Sequence, residues 1–257
     1  MQKLEFMKKI ISILFVLTTL AACTEKTETA APAQNSYTLV FFDKTASVNP
    51  NDSFVMGKYS AALKNLVDKN INKEGDLLEA YFIHENTSKA RALTIKSRTP
   101  QGETSNLSPA DKEAANLSYE INIKKERQLI YNALIEKLLE NNTSTSNAET
   151  NVGDSVPVMA RALDLNSSVN AYFFSDMIES MNNGRDFHRM APISYDQAEK
   201  WAKEDVKKYT EYSLINTDID VILPFSPNSS SKINNPNISD YWKVFFDQLG
   251  AKSVNEQ

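Results

Sequence analysis

Past the first 36 residues, apolar positions gather at 37–43, YTLVFFD, a near-continuous run that meets a carboxylate only at its end. Such a run fits a strand buried on both faces of a parallel sheet. From about Asp52 to Lys69 the apolar spacing becomes helical. Val55, Tyr59, Ala62, Leu63, Leu66 and Val67 share one stripe there, with Asp52 or Ser53 as the cap. LLEAYFIH at 77–84 reads as a second strand, so the order is strand, helix, strand. ARALTIKSR at 90–98 alternates cleanly a few residues later. It predicts an antiparallel edge strand guarded by Lys89, Arg91, Lys96 and Arg98.

Residues from Pro109 to about Asn141 have helical propensity, opened by SPADKE and closed by two asparagines, as one long helix or two with a break near Ser118. A helix from about Asn151 to Leu165 follows, then a strand at 169–176 (VNAYFFSD) and a helix at 194–213. A strand at 218–225 (DIDVILPF) and a last helix at 238–251 complete the pattern. Strands alternating with helices predict an α/β fold, a doubly wound, mostly parallel sheet with one antiparallel edge strand. No internal repeat interrupts residues 37–257, which read as one domain with a helical insert at about 109–141. The polar stretch SPNSSSKINNPN at 226–237 is a long loop, functional or merely mobile.

The first residues follow a different logic. MKKIISILFVLTTLAAC at 7–23 has two lysines, an apolar run too short for a membrane span and small residues before the cysteine, the layout of a secretory signal. Its end, Leu20-Ala21-Ala22-Cys23, resembles the lipobox of bacterial lipoproteins. That resemblance implies a signal peptide over 1–22 and lipid attachment at Cys23, with a flexible tether over 23–36. Cys23 is the only cysteine, so no disulfide, thiol nucleophile or thiolate metal site is left for the rest of the chain. The expected location is the bacterial cell envelope, with membrane contact through the lipid alone. Thr24 stands where an aspartate commonly retains lipoproteins at the inner membrane, which favours the outer one. A net charge of −5 without a basic stripe argues against a nucleic-acid partner.

Ligands of doubly wound sheets bind beyond the carboxyl ends of the strands. Oxygen-bearing side chains stand at three such places. Asp43, Thr45 and Ser47 follow the first strand at every second position, Thr150 precedes a helix, and Ser175-Asp176 ends a strand. Extended backbone repeats every two residues and aims 43, 45 and 47 at one crevice. Carboxylates and hydroxyls suit a hard cation that keeps several waters, and with only His84 and His188 in the chain a histidine-based zinc site is disfavoured.

DKTAS at 43–47 resembles the D-x-S-x-S motif of the metal-ion-dependent adhesion site in von Willebrand factor A-type domains, with Thr45 in place of the first serine. ETNVGDSVPVMARAL at 149–163 resembles the segment carrying that family's threonine ligand, and FFSDM at 173–177 the strand end whose aspartate binds through water. The resemblance runs from about Tyr37 to Ala251. It implies Mg²⁺, or Mn²⁺ or Ca²⁺, held by Asp43, Thr45, Ser47 and Thr150 directly and by Asp176 through a water. It also implies a protein partner that offers an acidic side chain to the unfinished shell. Two positions depart from the family pattern, Glu149 and Met177, where glycine is usual.

Other readings assign less. A phosphohydrolase built on Asp43 wants a second acid two residues on, where Thr45 stands, and no phosphate loop or nucleophile elbow occurs among 6 glycines. The expectation is therefore a binding protein, not an enzyme, with a metal-free assembly scaffold of the envelope as the alternative. Glu179 and Asp186 are expected to be solvated, the cluster Tyr241, Trp242, Phe245 and Phe246 to be core, and His84 to be a satisfied surface residue.

Overall fold

The computed structural model describes residues 34–142, 149–166, 168–226 and 228–257. The expected signal segment, Cys23 and the tether up to residue 33 lie outside the described residues. Among the described residues no helix is long and apolar enough to cross a membrane.

Strand β1 is Tyr37–Asp43, every residue of it buried. Helix α1, Ser53–Asn70, starts where Asp52 accepts hydrogen bonds from the Phe54 and Val55 N–H groups, so the cap carboxylate satisfies two of the four free donors of the first turn. Strand β2, Leu77–Ile83, follows, and β3, Arg91–Lys96, pairs antiparallel to it with a register shift at Ala80/Tyr81. The expected insert is one unbroken helix, α2, Pro109–Leu139, capped by Ser108 and spanning roughly 46 Å at 1.5 Å per residue. Its second half buries Ile130, Leu134 and Leu138 at four-residue spacing. Its first half leaves Leu117 and Ile121 exposed. Then come a 3₁₀ turn at Gly153–Ser155, α3 at Val156–Leu165, β4 at Val169–Phe174, α4 at Tyr195–Asp205 and a 3₁₀ turn at Val206–Tyr209. Strand β5 at Thr217–Ile222, α5 at Pro236–Gln248 and β6 at Ser253–Glu256 close the chain.

The six strands lie in the order β3-β2-β1-β4-β5-β6, antiparallel only between β2 and β3. The fold class is the expected one, α/β and doubly wound with one antiparallel edge. β6 was not expected, because four residues with a single apolar side chain carry no readable period. It pairs parallel to β5, and the chain's last residue continues the pairing, with Gln257 N–H donating to the Val221 carbonyl.

Alternation along β1 divides the interior. Leu39 and Phe41 point into a core shared with α3, α4 and α5, while Val40 and Phe42 point into one shared with α1 and α2. Successive crossovers thus leave β1 and β4 toward opposite faces. A crevice opens between these neighbouring strand ends, where such sheets place their ligands.

Candidate metal centre

The register of β1 and β4 sets Phe42 opposite Phe174, so the next residues, Asp43 and Ser175, emerge side by side at the crevice. The Ser175 hydroxyl donates to Asp43 Oδ2 at 2.6 Å and accepts from the Met177 N–H at 2.9 Å. The other oxygen, Asp43 Oδ1, accepts from the Thr45 backbone N–H at 2.9 Å and from its hydroxyl at 2.5 Å. Thr45 Oγ1 lies 3.2 Å from Ser47 Oγ. Asp176 Oδ1 accepts from the Ile178 N–H at 3.0 Å, and the Ser47 hydroxyl hydrogen-bonds the same carboxyl group. Asp43, Thr45, Ser47, Ser175 and Asp176 therefore form one linked group of oxygens. Only Ser47 is exposed.

Thr150 is buried by a different arrangement. Its N–H donates to the Ser180 carbonyl and its own carbonyl accepts from the Ser180 N–H, both at 2.9 Å, while Asn151 N–H donates to the His84 carbonyl at 3.2 Å. These bonds pin the Thr150 segment between the end of β2 and the chain that follows Asp176. Among the described residues no hydrogen bond joins the Thr150 hydroxyl to the Asp43 group.

The two glycine positions of the family pattern behave differently. Glu149 is half-buried and accepts a hydrogen bond from the Asn182 amide. Met177 has φ 60°, the left-handed conformation that glycine adopts freely and that a methionine adopts at a cost of roughly 1–2 kcal/mol. The Trp242 indole N–H donates to the Met177 carbonyl at 2.7 Å and holds it there. The aromatic cluster of α5 is core as expected, and one of its members also braces the site.

Electrostatically the group is short of positive charge. Burial and the neighbouring Asp176 carboxyl push Asp43 up to about 6, against the donors Ser175 and Thr45. Burial raises Asp176 too, against the Ile178 N–H and Ser47. Lys44, between Asp43 and Thr45, turns away: its Nζ donates at 2.7 Å to each of the Lys137, Leu138 and Glu140 carbonyls and lies 4.8 Å from the centre of the Phe82 ring. Burial draws this ammonium down to about 8, opposed by Glu140 and Asp43. The residue after the site's first carboxylate thus clamps the end of the inserted helix.

Two solvation expectations require correction. Glu179 is buried, not solvated, because its Oε2 accepts from the Val152 N–H at 2.7 Å and the Gly153 N–H at 3.4 Å ahead of α3, and burial pushes it up to about 8. Asp186 is half-buried, and its Oδ1 accepts from the His188 and Arg189 N–H groups in the turn that follows. His84 is half-buried as well, with Nδ1 accepting from the Asn86 N–H.

Two carboxylates and several hydroxyls, two of them unexposed and all oxygen, fit a hard dication better than any softer metal. Among the described residues no set of three or more His, Cys, Asp or Glu could hold an ion. Hydroxyls and waters would have to complete a shell begun by Asp43 and Asp176. A dication would also offset the burial that raises both carboxyls and the Asp176 charge that raises Asp43 further.

No protein-family model matches the chain. No curated protein matches it either. Solved structures similar to it include a von Willebrand factor type A protein from Catenulispora acidiphila, at 12% identity and TM-score 0.35 over 87% of this chain and 39% of that one. Proximal thread matrix protein 1 from the mussel byssus matches at 13% and 0.31 over 87% of this chain and 42% of its own. Manganese-loaded Plasmodium vivax TRAP matches at 11% and 0.31 over 79% and 62%. The chain spans less than half of the first two. All three scores lie below 0.5, so the fold assignment rests on strand order and connections alone.

Proposed function

We propose that this chain is a divalent-cation-dependent protein-binding domain of von Willebrand A type, carried on a bacterial lipoprotein anchored through Cys23. The observation that carries the reading is the convergence of Asp43, Thr45, Ser47 and Asp176 at the crevice between β1 and β4. Asp43, Thr45 and Ser47 would contact Mg²⁺ or Mn²⁺, Asp176 would act through a water, and Thr150 would close in from the β2 side. The position left open would take an acidic side chain of the partner, which neutralises charge in a partly dehydrated site. The cell envelope, with the outer membrane favoured, follows from the sequence signals at Cys23 and Thr24.

Calorimetric titration of Mg²⁺ and Mn²⁺ into the full chain and into Asp43→Ala tests the site. One saturable site, lost in the variant, is expected. Equal heats from both proteins, or none from either at millimolar ion, would overturn the metal reading. A metal-free scaffold is the second reading, favoured by the exposed Leu117 and Ile121 on the first half of α2. It expects partner capture that survives both chelator and Asp43→Ala.

A further inference from the structure

The chain between β1 and α1 carries Thr45 and Ser47, and no strand or helix of its own fixes their positions. Lys44 stands between Asp43 and Thr45 with its backbone and its side chain both engaged. Its N–H donates to the Ile83 carbonyl at 3.2 Å, continuing the pairing of β1 with β2 by one residue. Its carbonyl accepts from the Asn142 amide at 2.9 Å, while its ammonium reaches the Lys137, Leu138 and Glu140 carbonyls at 2.7 Å each. These bonds fasten one residue of the site to the end of the inserted helix, 93 to 98 positions further along the chain.

That end is a firm support. Leu134 and Leu138 of α2 are buried in the same core as Val48, which lies three residues past Thr45. Lys44 itself has little to offer an ion directly, because its carbonyl is taken by Asn142 and an ammonium nearby opposes a cation. Its contribution to ion binding therefore has to come through geometry. Ordering a loop costs conformational entropy, and a loop already held in its bound form does not meet that cost when the ligand arrives.

We infer that Lys44 and Asn142 are positioning residues of the ion site: by fastening the backbone at 44 to the end of α2, they hold Thr45 and Ser47 where a cation meets both hydroxyls together with Asp43. The inference rests on the metal reading above and gives the helical insert a part in it. Linkage makes the effect reciprocal. If the end of α2 strengthens ion binding, a bound ion holds the end of α2 more firmly.

The full-length parent, Asn142→Ala, Lys44→Met and Asp43→Ala are titrated calorimetrically with Mg²⁺ and Mn²⁺, and urea transitions in chelator establish that each is folded. Amide exchange of the parent and of Asp43→Ala is followed with and without Mg²⁺. Asn142→Ala and Lys44→Met should each bind about five- to tenfold more weakly than the parent, the size of one hydrogen bond. For Lys44→Met the sign is decisive, because loss of an ammonium that acted by charge alone would tighten binding. In the parent, Mg²⁺ should slow exchange in the last turns of α2 as well as at 44–48, and in Asp43→Ala at neither place. Parent-like or tighter affinity in either folded variant, with binding lost in Asp43→Ala, would overturn the positioning role and leave the metal site standing. Slowing confined to 44–48 in the parent would overturn it as well. Should Lys44→Met fail to fold, Asn142→Ala and the exchange of the parent decide alone. A parent that binds neither ion would overturn the metal reading and the inference together.

Discussion

Ser175 Oγ donates to Asp43 Oδ2 across 2.6 Å, joining the ends of two adjacent parallel strands through one buried hydrogen bond. The bond opposes the effects of burial and of Asp176, which raise the Asp43 carboxyl. Ser175→Ala should therefore push that carboxyl higher still and leave both Oδ2 and the Met177 N–H without this partner. We expect a loss of about 1–3 kcal/mol in urea unfolding and weaker ion binding. Unchanged stability would show that the strand ends are held by the ladder alone.

Asp43→Asn should act in two opposite directions. Asp43 has its folded pKa raised from 3.8 to about 6, so the metal-free fold takes up a proton that the unfolded chain releases, and stability falls as pH rises through that window. The amide cannot ionise. The variant should show a flatter pH profile between 4 and 6 and be more stable than the parent, metal-free, at pH 7 by about 1 kcal/mol. It should bind no Mg²⁺. Urea midpoints across pH, in chelator, check the first claim and calorimetry the second.

Much of this arrangement is legible in the sequence, for identifiable reasons. β1 and β4 are apolar runs ending in oxygen-bearing residues, and a strand end is where a parallel sheet can use such residues. Asp43, Thr45 and Ser47 advertise themselves by spacing. Ser175 was visible as a strand-end hydroxyl, but its role depends on register between strands more than 130 positions apart, which no local pattern records. Glu179 looked solvated because a charge is usually exposed. Here two backbone N–H groups bring the carboxyl inside.

Glu179 makes the clearest pH prediction outside the site. Burial raises its folded pKa from 4.5 to about 8, so the folded form holds a proton that the unfolded chain loses. Its contribution is fully present below pH 4.5 and is lost as pH rises through 8, with a slope approaching 1.4 kcal/mol per pH unit inside the window. Glu179→Gln keeps an acceptor for the Val152 N–H and cannot ionise. Its unfolding free energy should exceed the parent's at pH 8 and approach it at pH 5. Parallel profiles for the two proteins would count against a buried, proton-holding Glu179.

Lys44 ties the insert to the site. The last carbonyls of a helix have no partner within it, and Lys44 takes three at the end of α2 while bringing a positive charge to the negative end of the helix dipole. Lys44→Met retains an apolar stem over Phe82 and removes the donors. We expect a loss of about 1–3 kcal/mol and faster amide exchange in the last turns of α2, with the first half unchanged. Acceleration spread evenly along the helix would mean that Lys44 is not the clamp.

Trp242 tests how the site tolerates a methionine where the adhesion-site pattern that it resembles has glycine. The left-handed turn at Met177 carries Asp176 on one side and Ile178, whose N–H binds the Asp176 carboxyl, on the other. A strained φ persists only when its surroundings over-determine it, and the indole N–H bond to the Met177 carbonyl is one such restraint. Trp242→Phe keeps an aromatic ring in the core and deletes that donor. The backbone at 177 then has less reason to hold φ near 60°, and Asp176 loses its fixed aim. Stability should drop by about 1–3 kcal/mol. Placing glycine at 177 in the same protein, a residue that adopts the turn without strain, should restore ion affinity more than it restores stability, because the buried methionine side chain is lost in the exchange. Affinity that stays low in the double variant would show that Trp242 acts through packing and not through the turn.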